Sequence, residues 1–425
     1  MSVPQSHPLD PSRLDRRLGT VDAVVIGLGS MIGAGIFTVL SPAAAVAGFG
    51  LLIGLAIAAG VAFCNATSSA QLAARYPESG GSYVYGRERL GAGWGYLAGW
   101  SFVVGKTASC AAMALTFGSY IGTGSTRLLA AGAVIALTSV NLLGVQKSAW
   151  LTRVLVAVVL VVLVVVVVVG LMSISPVADR DTSVRGGVGG VLEAAALLFF
   201  AFAGYARIAT LGEEVRDPRR TIPRAIPIAL GITLAVYLVV SVTALVSVGP
   251  TGLAASATPL LEVAELGPDG AVAIVRVGAA VGSLGVLMSL LLGVSRTGFA
   301  MASGGDLPRW LAAVHPRRRV PHHAELAVAL VVVVVVLVAD VRDAIGFSSF
   351  TVLTYYAIAN AASWTLSPAE RRWPRVVSAV GLVSCIVLAF SLPPASLLLG
   401  IGVLALGAVI WFARRGRIGG PPARA

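Results

Sequence analysis

The sequence predicts an all-α polytopic membrane protein, and three observations carry that prediction. Apolar residues make up 57% of the chain and charged residues 12%, with a mean hydropathy of +0.90; a soluble domain has about 45–50% and about 25% respectively. The apolar residues fall into runs near the roughly 20 residues that a membrane crossing needs. The 31 Lys and Arg are unevenly distributed around those runs.

Taken in order, the runs mark twelve spans at about 21–40, 49–74, 94–121, 129–145, 152–172, 191–212, 225–248, 271–301, 325–340, 344–366, 376–392 and 394–412. Residues 1–20 form a polar tail whose Arg13, Arg16 and Arg17 suit an anionic inner leaflet. The tail lacks the pattern of a cleavable signal peptide, so the first span is expected to direct insertion. Residues 21–412 form the transmembrane domain and 413–425 a second tail. With both tails placed in the cytoplasm, most Lys and Arg fall in cytoplasmic segments. External connections keep only Arg127, Arg180, Arg185 and Arg342, and Lys106, Arg207 and Arg276 fall within spans. This is the positive-inside pattern. The net charge of +12 is therefore topological, and no nucleic-acid partner is expected.

Cys64, Cys110 and Cys385 lie in or beside apolar segments without ligand spacing, and His7, His315, His322 and His323 lie in polar connections. Neither a disulfide framework nor a metal site is expected. Span 5 is almost purely aliphatic, and so is the valine run of span 9, which is short for a full crossing. Both are read as packing helices without chemistry of their own.

Span 1 differs. It reads Ile26-Gly-Leu-Gly-Ser-Met-Ile-Gly-Ala-Gly-Ile-Phe37, with glycines at 27, 29, 33 and 35. Gly29 and Gly33 satisfy a small-xxx-small packing motif. The competing reading is an interrupted helix, since glycine lowers the cost of leaving helical geometry and irregular backbone at membrane depth survives only where it lines a cavity or is covered by protein. Span 6 decides between them. Its Phe199-Phe-Ala-Phe-Ala-Gly204-Tyr-Ala-Arg207 places a glycine among small residues at a matching depth. Interrupted helices at corresponding positions of two halves point to the binding site of an inverted-repeat transporter.

The chain resembles the amino acid/polyamine/organocation permease superfamily. The motifs carrying the resemblance are Gly29-Ser-Met-Ile-Gly-Ala-Gly-Ile-Phe37, Arg75-Tyr-Pro-Glu-Ser-Gly-Gly-Ser-Tyr83, Phe200-Ala-Phe-Ala-Gly204 with Glu213-Glu-Val-Arg-Asp-Pro-Arg-Arg-Thr-Ile-Pro223, and Ser295-Arg-Thr-Gly-Phe-Ala-Met-Ala-Ser303 with Gly305-Asp-Leu-Pro308. The resemblance implies a LeuT-type fold: spans 1–5 and 6–10 as a 5+5 inverted repeat, spans 11 and 12 peripheral, helices 1 and 6 broken. It also implies a site. Gly29, Ser30, Met31, Ile32 and Gly33 would cradle a substrate carboxylate, which suits freed N–H groups at a half-helix start. Carbonyls of Ile26, Phe200, Ala201 and Ala203 would hold the ammonium, with Gly204 at the break, Phe200 closing over the substrate and Phe202 shaping the side-chain pocket.

One position departs from the pattern. Proton-coupled relatives carry a span 5 lysine fifteen residues after the glycine of Asn-x-x-Gly; here Asn141-Leu-Leu-Gly144 is followed by Val159. A proton or sodium ion remains the candidate coupling partner, with Ser283 and Ser289 as the mid-span hydroxyls for sodium; an exchanger needs neither. Intramembrane charges are functional candidates by default. Lys106 either titrates in a gating cycle or is a structural cation bonded to carbonyls. Arg207 either pairs with Glu213 or an anionic substrate group, or braces its half-helix. Arg276 and Glu193 sit at outer mouths. The cluster around Glu214 is either solvated charge or a gate.

No carboxylate falls mid-span, which argues against a polyamine. No Ser/His, Asp/Asp or metal set for an intramembrane hydrolase is present, so neither an enzyme nor a cofactor is expected. The favoured function is transport of amino acids, preferably neutral, across the cytoplasmic membrane by alternating access. An exchanger of anionic amino acids or related metabolites, and a non-transporting membrane sensor, are the alternatives.

Overall fold

Without water to satisfy freed backbone groups, a chain this apolar has helix as its recourse, and the computed structural model is 83% helix. It describes residues 18–418 except 34, 77–79, 123, 145–148, 174–181, 210, 212–213 and 319. The tail arginines and Glu213 thus lie outside the described residues. The helices run α1 Thr20–Met31, α2 Gly35–Thr38, α3 Leu40–Ala47, α4 Leu51–Arg75, α5 Ser82–Leu90, α6 Ala92–Ile121, α7 Thr126–Leu142, α8 Ala149–Met172 and α9 Gly187–Phe202. They continue as α10 Ala206–Ala209, α11 Pro218–Ser247, α12 Gly249–Ala255, α13 Pro259–Ala264, α14 Asp269–Ser303, α15 His322–Val338, α16 Val341–Trp364, α17 Arg375–Phe390 and α18 Pro394–Ile418. Among the described residues, eight segments are long and apolar enough to cross a membrane: Thr20–Thr38, Gly187–Ala209, α4, α6, α11, α14, and most of α8 and α18. The helices α7, α15 and α17 are apolar but shorter. The 24-residue α16 buries Ser348, Ser349, Thr351, Asn360 and Ser363.

The segments α1–α3 and α9–α10 run antiparallel, pinned at both ends. At one face Leu18 N–H donates to Glu214 O (3.1 Å) and Arg216 N–H to Leu18 O (2.9 Å). At the other, Phe49 N–H donates to Ser183 O (3.2 Å) and Arg185 N–H to Ala47 O (3.0 Å). Around this pair stand α4, α8, α11, α14 and α16, with α6 between α14 and α16.

Both interruptions are present, each narrower than the glycine pattern predicts. Helical bonding in α1 continues to Ile32, whose N–H reaches Leu28 O (2.8 Å), and Ser30 Oγ donates back to Ile26 O (2.9 Å). Gly29, Ser30 and Met31 are therefore still helical, and the interruption begins at Ile32. The second break is a single 3-10 turn, Ala203–Tyr205, between α9 and α10.

A polar seam binds α4, α16 and α17 away from those breaks. Asn360 Nδ2 donates to Asn65 Oδ1 (2.6 Å), which also accepts from Cys385 Sγ (3.2 Å). Ser378 Oγ bonds both Ser68 Oγ (3.1 Å) and Ser363 Oγ (2.9 Å), and Gln71 Nε2 donates to Ser363 Oγ (2.5 Å).

Candidate functional site

The second break meets the last turn of α1, just before the first break, through backbone. At Gly204 an added Cβ would lie 2.3 Å from Ser30 O and 2.7 Å from Met31 N. Only a residue without a side chain allows this approach. Across the contact lies a cavity of about 190 Å³. Ser30, Met31 and Gly35 line it from the first broken helix, and Phe200, Ala201, Ala203, Gly204 and Arg207 from the second. The facing wall comes from α6 (Phe102, Lys106, Ser109, Met113), α14 (Ser289, Gly293, Arg296, Thr297) and Tyr355 of α16. Gly80 and Glu214 line it as well, so the cavity leans towards the face where Leu18 meets Val215.

The opposite end is sealed. Tyr120 is fully buried, donates to Phe37 O (2.8 Å) and meets the Phe37 ring edge-on at 5.7 Å. Beside it Thr38 and Thr116 hydroxyls bond at 2.9 Å.

The carbonyls that the resemblance gives to the ammonium already accept hydrogen bonds from within the protein. Tyr237 of α11 bonds Met31 O (2.6 Å) and Ala201 O (3.1 Å), straddling both breaks. Ala203 O accepts from Tyr356 of α16 (3.3 Å) and from Lys106 Nζ (3.5 Å). Ile26 O takes Ser30 Oγ, and Phe200 O takes the Ala203 N–H. Lys106 is 7% exposed and has no ion-pair partner among the described residues. Arg207 meets Glu214 at 3.4 Å. Glu214 is the one carboxylate among the described residues that line the cavity, against the cations of Lys106, Arg207 and Arg296.

The sequence-derived candidates divide between two places. Ser30, Met31, Phe200, Ala201, Ala203, Gly204, Lys106, Arg207, Ser289 and Glu214 line the main cavity. Gly29, Ile32 and Gly33 line a second space of about 20 Å³, facing Thr152, Val156 and Val159 of α8 and Gly282 of α14. There α14 comes so near that a Cβ on Gly282 would stand 2.2 Å from Gly33 O. The side chain of Val159 thus occupies the wall where the span 5 lysine was sought. Phe202 lies behind the cavity, edge-on to the Tyr237 ring at 5.2 Å. Ser283 is fully buried, lines neither space and has no hydrogen-bond partner on its Oγ among the described residues. Ser289 Oγ donates to Gly285 O (3.0 Å). Tyr237, Tyr356 and Arg296 were not singled out from the sequence. A tyrosine inside an apolar helix is the available signal, because a buried hydroxyl needs a partner.

Two of the quoted motifs meet at the face towards which the cavity leans. Asp306 Oδ2 accepts from Tyr83 Oη (2.8 Å) and Arg87 Nη2 (2.6 Å), and burial together with Asp306 pushes the Tyr83 hydroxyl pKa up. Glu370 pairs there with Arg89 (2.7 Å) and Arg75 (3.4 Å).

The amino acid permease profile matches residues 18–417. The chain belongs to the amino acid permease family. This permease is 61% identical over 415 residues to an uncharacterized transporter of Mycobacterium tuberculosis, covering 96% of this chain and 94% of the other. It is 26% identical to the branched-chain amino acid permease BcaP of Bacillus subtilis, over 73% of this chain and 72% of that protein. Human cationic amino acid transporter 4 is 29% identical over 83% of the permease and 60% of its own length. The permease is a multi-pass membrane protein of a transporter family, with the apolar helices such a protein requires.

Proposed function

We propose that this permease carries amino acids, preferably neutral ones, across the cytoplasmic membrane by alternating access around the contact of its two broken helices. The observation that carries the reading is that antiparallel partners abut at Gly204 and Ser30 and line one cavity, sealed at one end and leaning to the other. In this reading the chain has twelve spans with both termini cytoplasmic, residues 21–412 form the transport domain, and spans 1–5 and 6–10 are inverted repeats with spans 11 and 12 outside them. Substrate sits between Ser30–Met31 and Phe200–Gly204. Relatives named for branched-chain and for cationic amino acids bracket the substrate class. The cations of Lys106, Arg207 and Arg296 against the single carboxylate of Glu214 disfavour a cationic side chain. The same charges favour, as the second reading, an anionic amino acid or related metabolite.

The test is uptake of a panel of radiolabelled amino acids into proteoliposomes loaded with buffer or with unlabelled amino acid, with and without a proton or sodium gradient. Saturable uptake of neutral amino acids is expected. Saturable ligand binding without flux would replace transport with sensing, and uptake restricted to acidic amino acids would select the second reading.

A further inference from the structure

We propose that Lys106 is a tethered stand-in for the substrate's ammonium: it occupies the Ala203 carbonyl when no substrate is bound and yields that place when an amino acid arrives. The inference rests on the amino acid reading above and adds how the unloaded carrier behaves.

A carbonyl oxygen has two lone pairs, and Ala203 O spends them on Tyr356 Oη and Lys106 Nζ. The ammonium of an amino acid reaching for this carbonyl must displace one of them. The tyrosine is clamped, its ring stacked on Tyr205 at 5.0 Å and edge-on to Phe199 at 5.8 Å. The lysine is held by the longest of these bonds, 3.5 Å, on a flexible four-carbon stem. Its wall opens onto the cavity that Arg207 and Arg296 also line, and the one carboxylate among the described lining residues, Glu214, meets Arg207 at 3.4 Å, so a substrate carboxylate is the counter-charge that can draw the lysine away. Lys106 is the donor that gives way.

Two consequences follow from filling the place internally. Substrate affinity is lowered, because binding-competent carriers are those in which the lysine has withdrawn. The unloaded carrier also keeps a cation on the break, so it changes face without leaving a buried carbonyl half-satisfied. Net flux should therefore run without an amino acid on the far side.

The experiment compares wild type, Lys106→Met and Lys106→Gln in proteoliposomes, measuring exchange, net efflux into substrate-free buffer, and competition by an amino acid and by its deaminated carboxylic acid. In wild type the deaminated acid leaves Lys106 on Ala203, so losing the amine should weaken competition by less than about tenfold, below what one charge-assisted hydrogen bond gained outright supplies. In Lys106→Met exchange should persist with a several-fold lower half-saturation, net efflux should fall at least about tenfold relative to exchange, and the penalty for deamination should exceed about tenfold. Lys106→Gln, which keeps a neutral donor, should fall between.

An unchanged deamination penalty and efflux-to-exchange ratio in both variants would overturn the inference and leave Lys106 a brace. Weaker amino acid binding with unchanged discrimination would overturn it in favour of direct contact with substrate. Should neither variant fold, wild type decides: a deamination penalty above about tenfold, the worth of a charge-assisted hydrogen bond gained outright and not exchanged, overturns the inference alone. Wild type that binds no amino acid removes the amino acid reading, and this inference with it.

Discussion

Adding one methyl at Gly204 tests whether the second break must touch α1. The new Cβ of Gly204→Ala would stand 2.3 Å from Ser30 O, 2.4 Å from Ser30 C and 2.7 Å from Met31 N. Non-bonded heavy atoms rest at about 3.5–4.0 Å, so the 3-10 turn must withdraw from α1 by roughly 1 Å. The obstacle is backbone on both sides, which no rotamer change relieves. Overpacking of this kind costs about 1–3 kcal/mol. The withdrawal also separates Met31 O from Ala201 O, which Tyr237 bridges at 2.6 and 3.1 Å; one lost hydrogen bond adds about 1 kcal/mol. Together the state in which they touch loses about 2–4 kcal/mol against its alternatives, a population change of roughly 30- to 1,000-fold. Exchange rate in proteoliposomes at matched protein content is the assay. Gly60→Ala is the control, since Gly60 is an exposed α4 glycine with no heavy atom within 4 Å of an added Cβ. Exchange by Gly204→Ala within threefold of the control would refute the reasoning.

Tyr237→Phe keeps the ring against Phe202 and removes only the hydroxyl, leaving a buried carbonyl unsatisfied at a cost of about 1–3 kcal/mol; a lower unfolding temperature with slower exchange is expected, and an unchanged melt would deny the bridge a role. Charge reversal by Glu214→Lys sets two cations together where Arg207 and Glu214 now meet at 3.4 Å; transport rate and half-saturation should both worsen, and unchanged values for both would remove Glu214 as a gate. The Ser367 N–H and Arg89 hold the Glu370 carboxyl at about 2, below its ordinary 4.5. A depressed carboxyl contributes stability above its unfolded pKa and loses it as pH falls through the folded one. Wild type should therefore lose stability relative to Glu370→Gln between about pH 4.5 and 2, with no such trend near neutrality; parallel acid melts of the two proteins would contradict the pairing.

What the sequence showed and what it hid follow from how each residue type signals. Glycine clusters mark a break because glycine alone tolerates close backbone approach, and Gly204 against Ser30 is such an approach. Composition does not say which way each glycine faces. Gly29 and Gly33 pack towards Val156 of α8 and Val286 of α14, as a small-xxx-small stripe would, while Gly35 lines the cavity. The extent of the break was illegible because it depends on backbone hydrogen bonds, such as Ile32 N–H to Leu28 O, that keep α1 helical to residue 31. Lys106 stood out as an isolated charge in an apolar run. Its partner, a carbonyl 97 residues away in the chain, leaves no mark in the side-chain pattern. Tyr237 and Tyr356 read as core aromatics until the carbonyls beneath their hydroxyls come into view.

The seam between α4, α16 and α17 sets a schedule for the protein's birth. Cys385 reaches back 320 residues to Asn65, and Ser378 reaches back 310 to Ser68. At about 5–20 residues per second of synthesis, α4 waits in or beside the bilayer for roughly 15–60 s before these partners leave the ribosome. During that wait the amide of Asn65 and the hydroxyl of Ser68 lack the seam partners they meet in the finished protein, and lipid answers a polar group badly. A nascent chain that stalls before α16 is made therefore displays a polar stripe from its second long helix. That stripe distinguishes an unfinished copy from a completed one, and α16 and α17, made late in the chain, are the helices that hide it.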